Sequence, residues 1–283
     1  MAALFIALLT FLPDSTSTIV IQSSQRLFLS AISIAISSSG SLFVADQQSN
    51  LLFEIAEDTN SSKKIGGKGW GSTEFDSPCD VTSSFLLDIF VVDKYNRRIQ
   101  RYDKNLNFIQ TFDENTITNL NGRFQPLSCA ISSQGDLFVI EADANRILKI
   151  NRRNSSVNEF GTYKDGVGAV VEPKDIAVIS NDIVAVLDRN SIKLYDVYGN
   201  YIRTIQLSKN EHWKAIQSNH ESIIVTSAHS ICQYSIDGDL LNTISTSSII
   251  GIDTAEEFQD AVFSTSKVYI LTSTTLYSAF LKH

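Results

Sequence analysis

The most regular chemistry along the chain is a series of oxygen-bearing side chains, Asp46, Asp93, Glu141, Asp188, Ser227 and Thr272, at successive spacings of 47, 48, 47, 39 and 45 residues. Carboxylates recurring in this way have two uses. Brought to one centre, they would surround a hard cation, which takes roughly six to eight oxygen ligands. Left apart at strand ends, each accepts hydrogen bonds from the amides of its own turn, and the recurrence follows from repetition alone. The second use fits better, because every acid closes an apolar run and opens a polar loop. Asn96-Arg97 and Asn145-Arg146 belong to those loops and read as turn residues whose arginines are free for a partner. Nucleophilic chemistry has no foothold: there is no G-x-S-x-G elbow, no C-x-x-C pair, and none of Cys79, Cys129 and Cys232 lies in a nucleophile motif with a histidine partner.

The spacing of the acids defines a repeat. Ile34 to Leu52, Val81 to Ile99 and Cys129 to Ile147 read alike: an apolar run, a polar turn, an apolar run ending in the acid twelve residues from the start, a polar loop, and a new apolar start six residues on. A fourth copy keeps the twelve-residue interval from Ile176 to Asp188 with a loop shorter by two. Copies five and six share that short loop, with Ile231 and Leu276 four residues after Ser227 and Thr272. Periods of 39 to 48 residues suit the four-stranded blade of a propeller. In unit two the strands are predicted at Val81 to Ser83, Ile89 to Val92, Ile99 to Tyr102 and Phe108 to Phe112, rich in β-branched and aromatic residues and separated by turn formers. Runs without alternation, such as Ile183-Val184-Ala185-Val186-Leu187, suit strands covered on both faces. Only seven residues follow Leu276, too few for an outer strand in unit six, while Thr18 to Gln22 lies unassigned at the other end. Pairing the two ends supplies that strand and closes an all-β ring of six four-stranded antiparallel blades.

The 283 residues are 43% hydrophobic and 19% charged with four prolines, which excludes a disordered chain and a multispanning membrane protein. With 23 basic against 31 acidic residues the net charge is -8, so no overall field gathers phosphates and nucleic acid is disfavoured as a partner. Three scattered cysteines offer no disulfide framework. Residues 1–16 stand apart. Ala2 to Leu12 is an apolar stretch too short to span a bilayer but of the length of a secretory h-region, although no Lys or Arg precedes it and no A-x-A site follows. The expectation is a secreted or periplasmic protein with a signal peptide or N-terminal apolar segment over 1–16 and one propeller domain over 17–283.

Phe90-Val91-Val92-Asp93-Lys94-Tyr95-Asn96-Arg97-Arg98-Ile99-Gln100-Arg101-Tyr102, preceded by Gly66-Gly67-Lys68-Gly69-Trp70-Gly71 and Phe75-Asp76-Ser77-Pro78, resembles an NHL repeat, and Leu42 to Ile55 and Leu137 to Ile150 resemble the same unit. The likeness extends over nearly all the chain from Ile34 and fades in units five and six. It implies a six-bladed propeller whose functional face is built from the loops joining second to third strands and the loops entering each innermost strand. Residues just before the innermost strands, Ser33, Asp80, Ser128, Asp175, Lys214 and Gln259 or Asp260, would then approach the axial channel. Propellers of the lactonase and paraoxonase kind collect Asn, Asp and Glu oxygens there around calcium. This set has two or three carboxylates, no Asn, and an opposing Lys. Peptide-amidating lyases bring histidines from several blades to zinc, whereas His212, His220 and His229 all belong to unit five and His220 lies at its opposite end. Neither metal nor cofactor is expected.

What remains is a recognition surface. Trp70, Phe75, Phe124 and Trp213 fall in the face loops among Lys68, Arg97, Arg123, His212 and Lys214, and aromatic and arginine side chains around a concavity are common anchors. Phe75 and Phe124 read as packing between blades. The expected ligand-binding set is Lys68, Trp70, Asp80, Arg97, Arg123, Asp175, Trp213 and Lys214. The expected function is non-catalytic binding of a protein, peptide or glycan. The alternatives are a metal-dependent lyase or lactonase, and RNA recognition should the basic residues gather on one face.

Overall fold

The computed structural model describes residues 19–56, 62–84, 87–179, 182–219 and 222–281; the apolar stretch within 1–16, His220 and His283 lie outside them. Blade two shows how the sequence builds each unit. Its strands, Pro78–Ser83, Ile89–Asp93, Arg98–Tyr102 and Phe108–Phe112, are antiparallel and adjacent in chain order. The innermost strand starts earlier than the apolar pattern predicts because the register shifts between Pro78 and Asp80. Cys79 is the extra residue of a β-bulge, which bends the strand and re-aims the side chains beside it. The same shift recurs in all six innermost strands, with Ile32, Leu127, Lys174, Lys214 and Gln259 in the place of Cys79. Pro78, Pro126 and Pro173 begin their strands, where a missing N–H costs no ladder bond.

Five sheets have four strands and the last has five. In that last sheet Phe258–Phe263, Lys267–Thr272 and Thr275–Phe280 are joined by Ile19–Arg26, which runs antiparallel to Thr275–Phe280 with Ile21 opposite Ala279 and Arg26 opposite Thr275. The N-terminal strand thus supplies the fourth strand of blade six, as the arithmetic of the repeat required, and it extends past Gln22. Ile249–Ile250 adds alongside it in parallel, opposite Ile19 and Val20. This shields part of the outer edge. No residue pattern in the sequence marked that short strand. The innermost strands contact one another in turn, and that of blade six contacts that of blade one, so the ring is closed.

Six apolar clusters, one in each gap between neighbouring blades, take the place of a single core. Leu42 and Val44 enter the gap toward blade six, while Phe43 and Ala45 enter the gap toward blade two. Both faces of a second strand are therefore buried, which is why its apolar run does not alternate.

Candidate binding face

The repeated acids are buried and engaged in their own turns. Asp46 accepts from the backbone N–H groups of Leu29, Ser30, Gln48 and Ser49 at 2.7 to 3.1 Å. One carboxylate thereby ties the loop entering the innermost strand to the loop leaving the second. Asp93 and Asp188 likewise hold an incoming loop, at Asp76 and at Val171 and Glu172, and Glu141 holds the turn amides of Asp143 and Ala144. Blades five and six lack the acid, and their incoming loops supply one instead. Ser227 Oγ donates to Glu211 Oε2 at 2.5 Å, and Thr272 and Thr274 donate to Glu256. Glu211 and Glu256 each lie 16 residues before the hydroxyl that they meet. A ruler that follows the acid along its own strand misses this relocation.

The arginines of these turns require a correction. Asp93 to Arg98 and Glu141 to Arg146 are both intervals of five residues, so Arg98 is the counterpart of Arg146. Both arginines are buried and paired to their acids, at 2.8 and 3.2 Å, and Arg146 is not free for a partner. Arg97 corresponds instead to Asn50 and Asn145. The three share a left-handed backbone, with φ of 57° at Asn50, 51° at Arg97 and 47° at Asn145, and Arg97 is exposed.

Around the axis the bulges present Ser33, Asp80, Ser128, Asp175, Ala215 and Asp260. Lys214 is not among them. Blade five takes 11 residues from Ile216 to Ser227 where blade two takes 12 from Val81 to Asp93, so a constant ruler lands one residue out, on the bulge itself. Lys214 Nζ pairs with Glu257 at 2.7 Å. Each aspartate accepts an amide of the following blade: Asp80 from Cys129 at 2.8 Å, Asp175 from Ile216 at 2.7 Å, and Asp260 from Ile34 at 3.0 Å. Ser33 and Ser128 donate to Asp80 and Asp175 at 2.8 and 2.5 Å. Where blade five has only Ala215, Gln217 Nε2 donates to Asp260 at 2.9 Å.

These carboxyls form a belt stitching one innermost strand to the next. Burial pushes all three up from their ordinary value. The charge of Asp80 adds to this at Asp175, which is raised to about 7, and that of Asp175 adds at Asp260. Among the described residues, no group of three or more His, Cys, Asp and Glu side chains is arranged to hold a metal ion. His212 and His229 are exposed. Cys79, on its bulge, donates its thiol to the Leu127 carbonyl at 3.2 Å, and burial pushes the thiol up and away from the reactive thiolate.

The loop between blades one and two holds its backbone by buried donors. Asn96 Nδ2 donates to the Gly69 carbonyl at 2.7 Å; Arg98 donates to those of Trp70, Gly71 and Glu74 at 2.8, 2.9 and 2.9 Å; Tyr102 Oη donates to that of Ser72 at 2.8 Å. Glu74 closes the turn by accepting from the Gly71 amide at 2.9 Å. A Cβ at Gly69 would lie 2.1 Å from the Glu74 carboxylate, so a side chain there would displace Glu74 from this turn. While its backbone is clamped, the Trp70 side chain stands 71% exposed. Tyr95, next to Asn96, is 62% exposed, and Leu29, Tyr163, Val167 and Val171 are exposed on loops entering blades one and four.

Of the eight residues expected in the site, the fold places Lys68, Trp70, Arg97 and Arg123 exposed on the loops of one face. Asp80 and Asp175 lie in the axial belt and Lys214 beside it. Trp213 is buried between blades four and five with its indole N–H on the Ser208 carbonyl at 2.9 Å. Phe75 and Phe124 pack between blades, as the sequence suggested. Tyr95 and the clamp of Asn96, Arg98 and Tyr102 were missed. A signal for the clamp was present: Arg98 and Gln100 are polar residues in a strand whose counterpart in blade one reads Leu51-Leu52-Phe53.

No family model matches the chain, and no curated protein sequence matches it. Solved structures match it in shape. Virginiamycin B lyase from Staphylococcus aureus, in its structure with quinupristin, is 14% identical with a TM-score of 0.64, over 92% of this chain and 99% of that one. The gluconolactonase XC5397 from Xanthomonas campestris is 11% identical with a TM-score of 0.69, over 91% and 88% of the two chains. The chain is a six-bladed β-propeller. YCF48, solved bound to D1 peptide, is also similar, at 9% identity and a TM-score of 0.57 over 89% of this chain and 78% of that one. At such identities the likeness speaks for the fold alone.

Proposed function

We propose that this propeller is a non-catalytic, NHL-type binding module that takes a polypeptide partner on the face bearing Trp70. The clamp carries the reading. Fixing a loop with a buried arginine, asparagine and tyrosine removes conformational entropy before any partner arrives, and the large apolar side chain so presented is left in water. A preorganised exposed aromatic is the form a binding anchor takes. Leu29, Tyr95, Tyr163 and Val171 extend apolar surface over the same set of loops. A lactonase site would need oxygens open to the channel, whereas those of Asp80, Asp175 and Asp260 are engaged by amides, serines and Gln217, and a lyase site would need histidines from several blades, whereas His212 and His229 both belong to blade five.

The test is selection of a displayed random peptide library on the immobilised protein. Selected peptides should lose binding to Trp70→Ala and to Tyr163→Ala, and keep it with Tyr198→Ala, which alters an exposed side chain in a turn between third and fourth strands. Peptides indifferent to both face variants, or no selected peptide at all, would refute the reading. The apolar stretch of residues 1–16 supports export; protein recovered from the producing cells should then begin near Ser17, and an intact N-terminus would refute this.

A further inference from the structure

The basic residues of the binding face are unevenly placed. Lys68 sits two residues before Trp70, and Lys94, Tyr95 and Arg97 form the adjoining turn of blade two, whose Asn96 holds Gly69. Gln125 Nε2 donates to the Lys94 carbonyl at 3.3 Å, which brings the loop bearing Arg123 against the same turn. Two exposed aromatics and four cations thus share one corner above blades two and three. The carboxylates of these loops each have a protein partner. Asp93 is buried under Arg98, Glu74 holds the Gly71 amide, Glu114 holds the Phe124 amide at 2.9 Å, and Asp76 has only a 3.6 Å contact with Lys68, whose side chain is 74% exposed. Arg97 and Arg123 pair with no carboxylate among the described residues.

We infer that this corner binds an acidic peptide segment, with an apolar side chain seated on Trp70 and Tyr95 and its carboxylates on Lys68, Lys94, Arg97 and Arg123. This rests on the binding-face reading and names its partner. The chain as a whole carries a net charge of -8, so the attraction is local. Screening confines it to about 8 Å at physiological salt. A short acidic segment lies within that range, whereas a long polyanion such as RNA runs on over acidic surface that repels it. Arg97 occupies a left-handed position where blades one and three use Asn50 and Asn145, so the fold does not require arginine there, and the guanidinium remains to be explained by what it meets.

The probe is a synthetic peptide alternating Glu pairs with Leu, labelled for anisotropy, alongside its Gln-for-Glu and Lys-for-Glu analogues and an oligouridine. The variant Arg97→Asn removes the cation and keeps the turn, since Asn50 and Asn145 hold the same left-handed position. The Glu peptide should bind at low salt and weaken as salt rises. It should bind at least about tenfold more tightly than the Gln analogue, lose roughly tenfold on Arg97→Asn, and lose at least as much on Trp70→Ala; tenfold corresponds to about 1.4 kcal/mol. It should also shift the emission of Trp70, since Trp213 is buried. Equal binding of the Gln analogue, indifference to Arg97→Asn, tighter binding of oligouridine, or no binding of the Glu peptide would each overturn the assignment. If library peptides depend on Trp70 and Tyr163 yet show no excess of Asp and Glu, the face reading stands and this inference alone falls.

Discussion

Arg98 couples the stability of blade two to the presentation of Trp70, and replacing it separates this account from one in which Trp70 is an incidental surface residue. Its guanidinium makes four hydrogen bonds, one to Asp93 at 2.8 Å and three to the carbonyls of Trp70, Gly71 and Glu74. Arg98→Ala leaves Asp93, already pushed up by burial, without its cation and strands three carbonyls. Breaking one side of a buried ion pair costs about 3–5 kcal/mol. For a domain of this size each kcal/mol lowers Tm by about 2–4 °C, so the variant should melt roughly 6–20 °C below the parent. Arg98→Lys keeps the charge but cannot span the four acceptors, and should fall between the two. Calorimetry reads the first effect. Hydrogen exchange reads the second: amides of residues 69–74 should lose protection in both variants at temperatures well below melting, while those around Glu141 and Arg146 keep theirs. Parent-like melting together with unchanged exchange over 69–74 would refute the clamp.

Three further outcomes follow from the ring. Asp175 has its folded pKa raised from 3.8 to about 7. Between those values the native state holds a proton that the unfolded chain has released, so stability should fall as pH rises from about 4 to about 7 and level off above; Asp175→Asn should flatten that slope in denaturant titrations, and an unaltered slope would count against the belt. Removing residues 19–26 should lower Tm and promote aggregation through the uncovered edge of Thr275–Phe280, as read by melting and light scattering, with a parent-like melt refuting closure. Glu211→Ala should cost about 1–3 kcal/mol by leaving Ser227 and its turn without a charged acceptor, and adding Ser227→Asp should recover much of it in urea melts, because it restores the acid to its place in the other blades.

The count of blades, their order and the pairing of the two chain ends were legible in the sequence, because a repeat forces equivalent residues into equivalent environments and leaves a countable remainder. Turn acids were legible for the same reason. Blade two was readable almost strand by strand, since its apolar runs are separated by turn formers. Tertiary structure decided the rest. A bulge adds one residue to every innermost strand and a shortened hairpin removes one from blade five, so Ala215 rather than Lys214 faces the axis; a one-residue change is invisible to a periodic pattern yet reverses which way a side chain points. Trp70 and Trp213 both read from the sequence as residues of polar loops before an innermost strand, yet Trp213 opens its strand and fills a gap between blades while Trp70 is displayed on a loop. Their fates turn on partners remote in the chain, Asn96, Arg98 and Tyr102 for the first and the apolar walls of blades four and five for the second. Local sequence sets which residues are available, and the closing of the ring sets which of them meet.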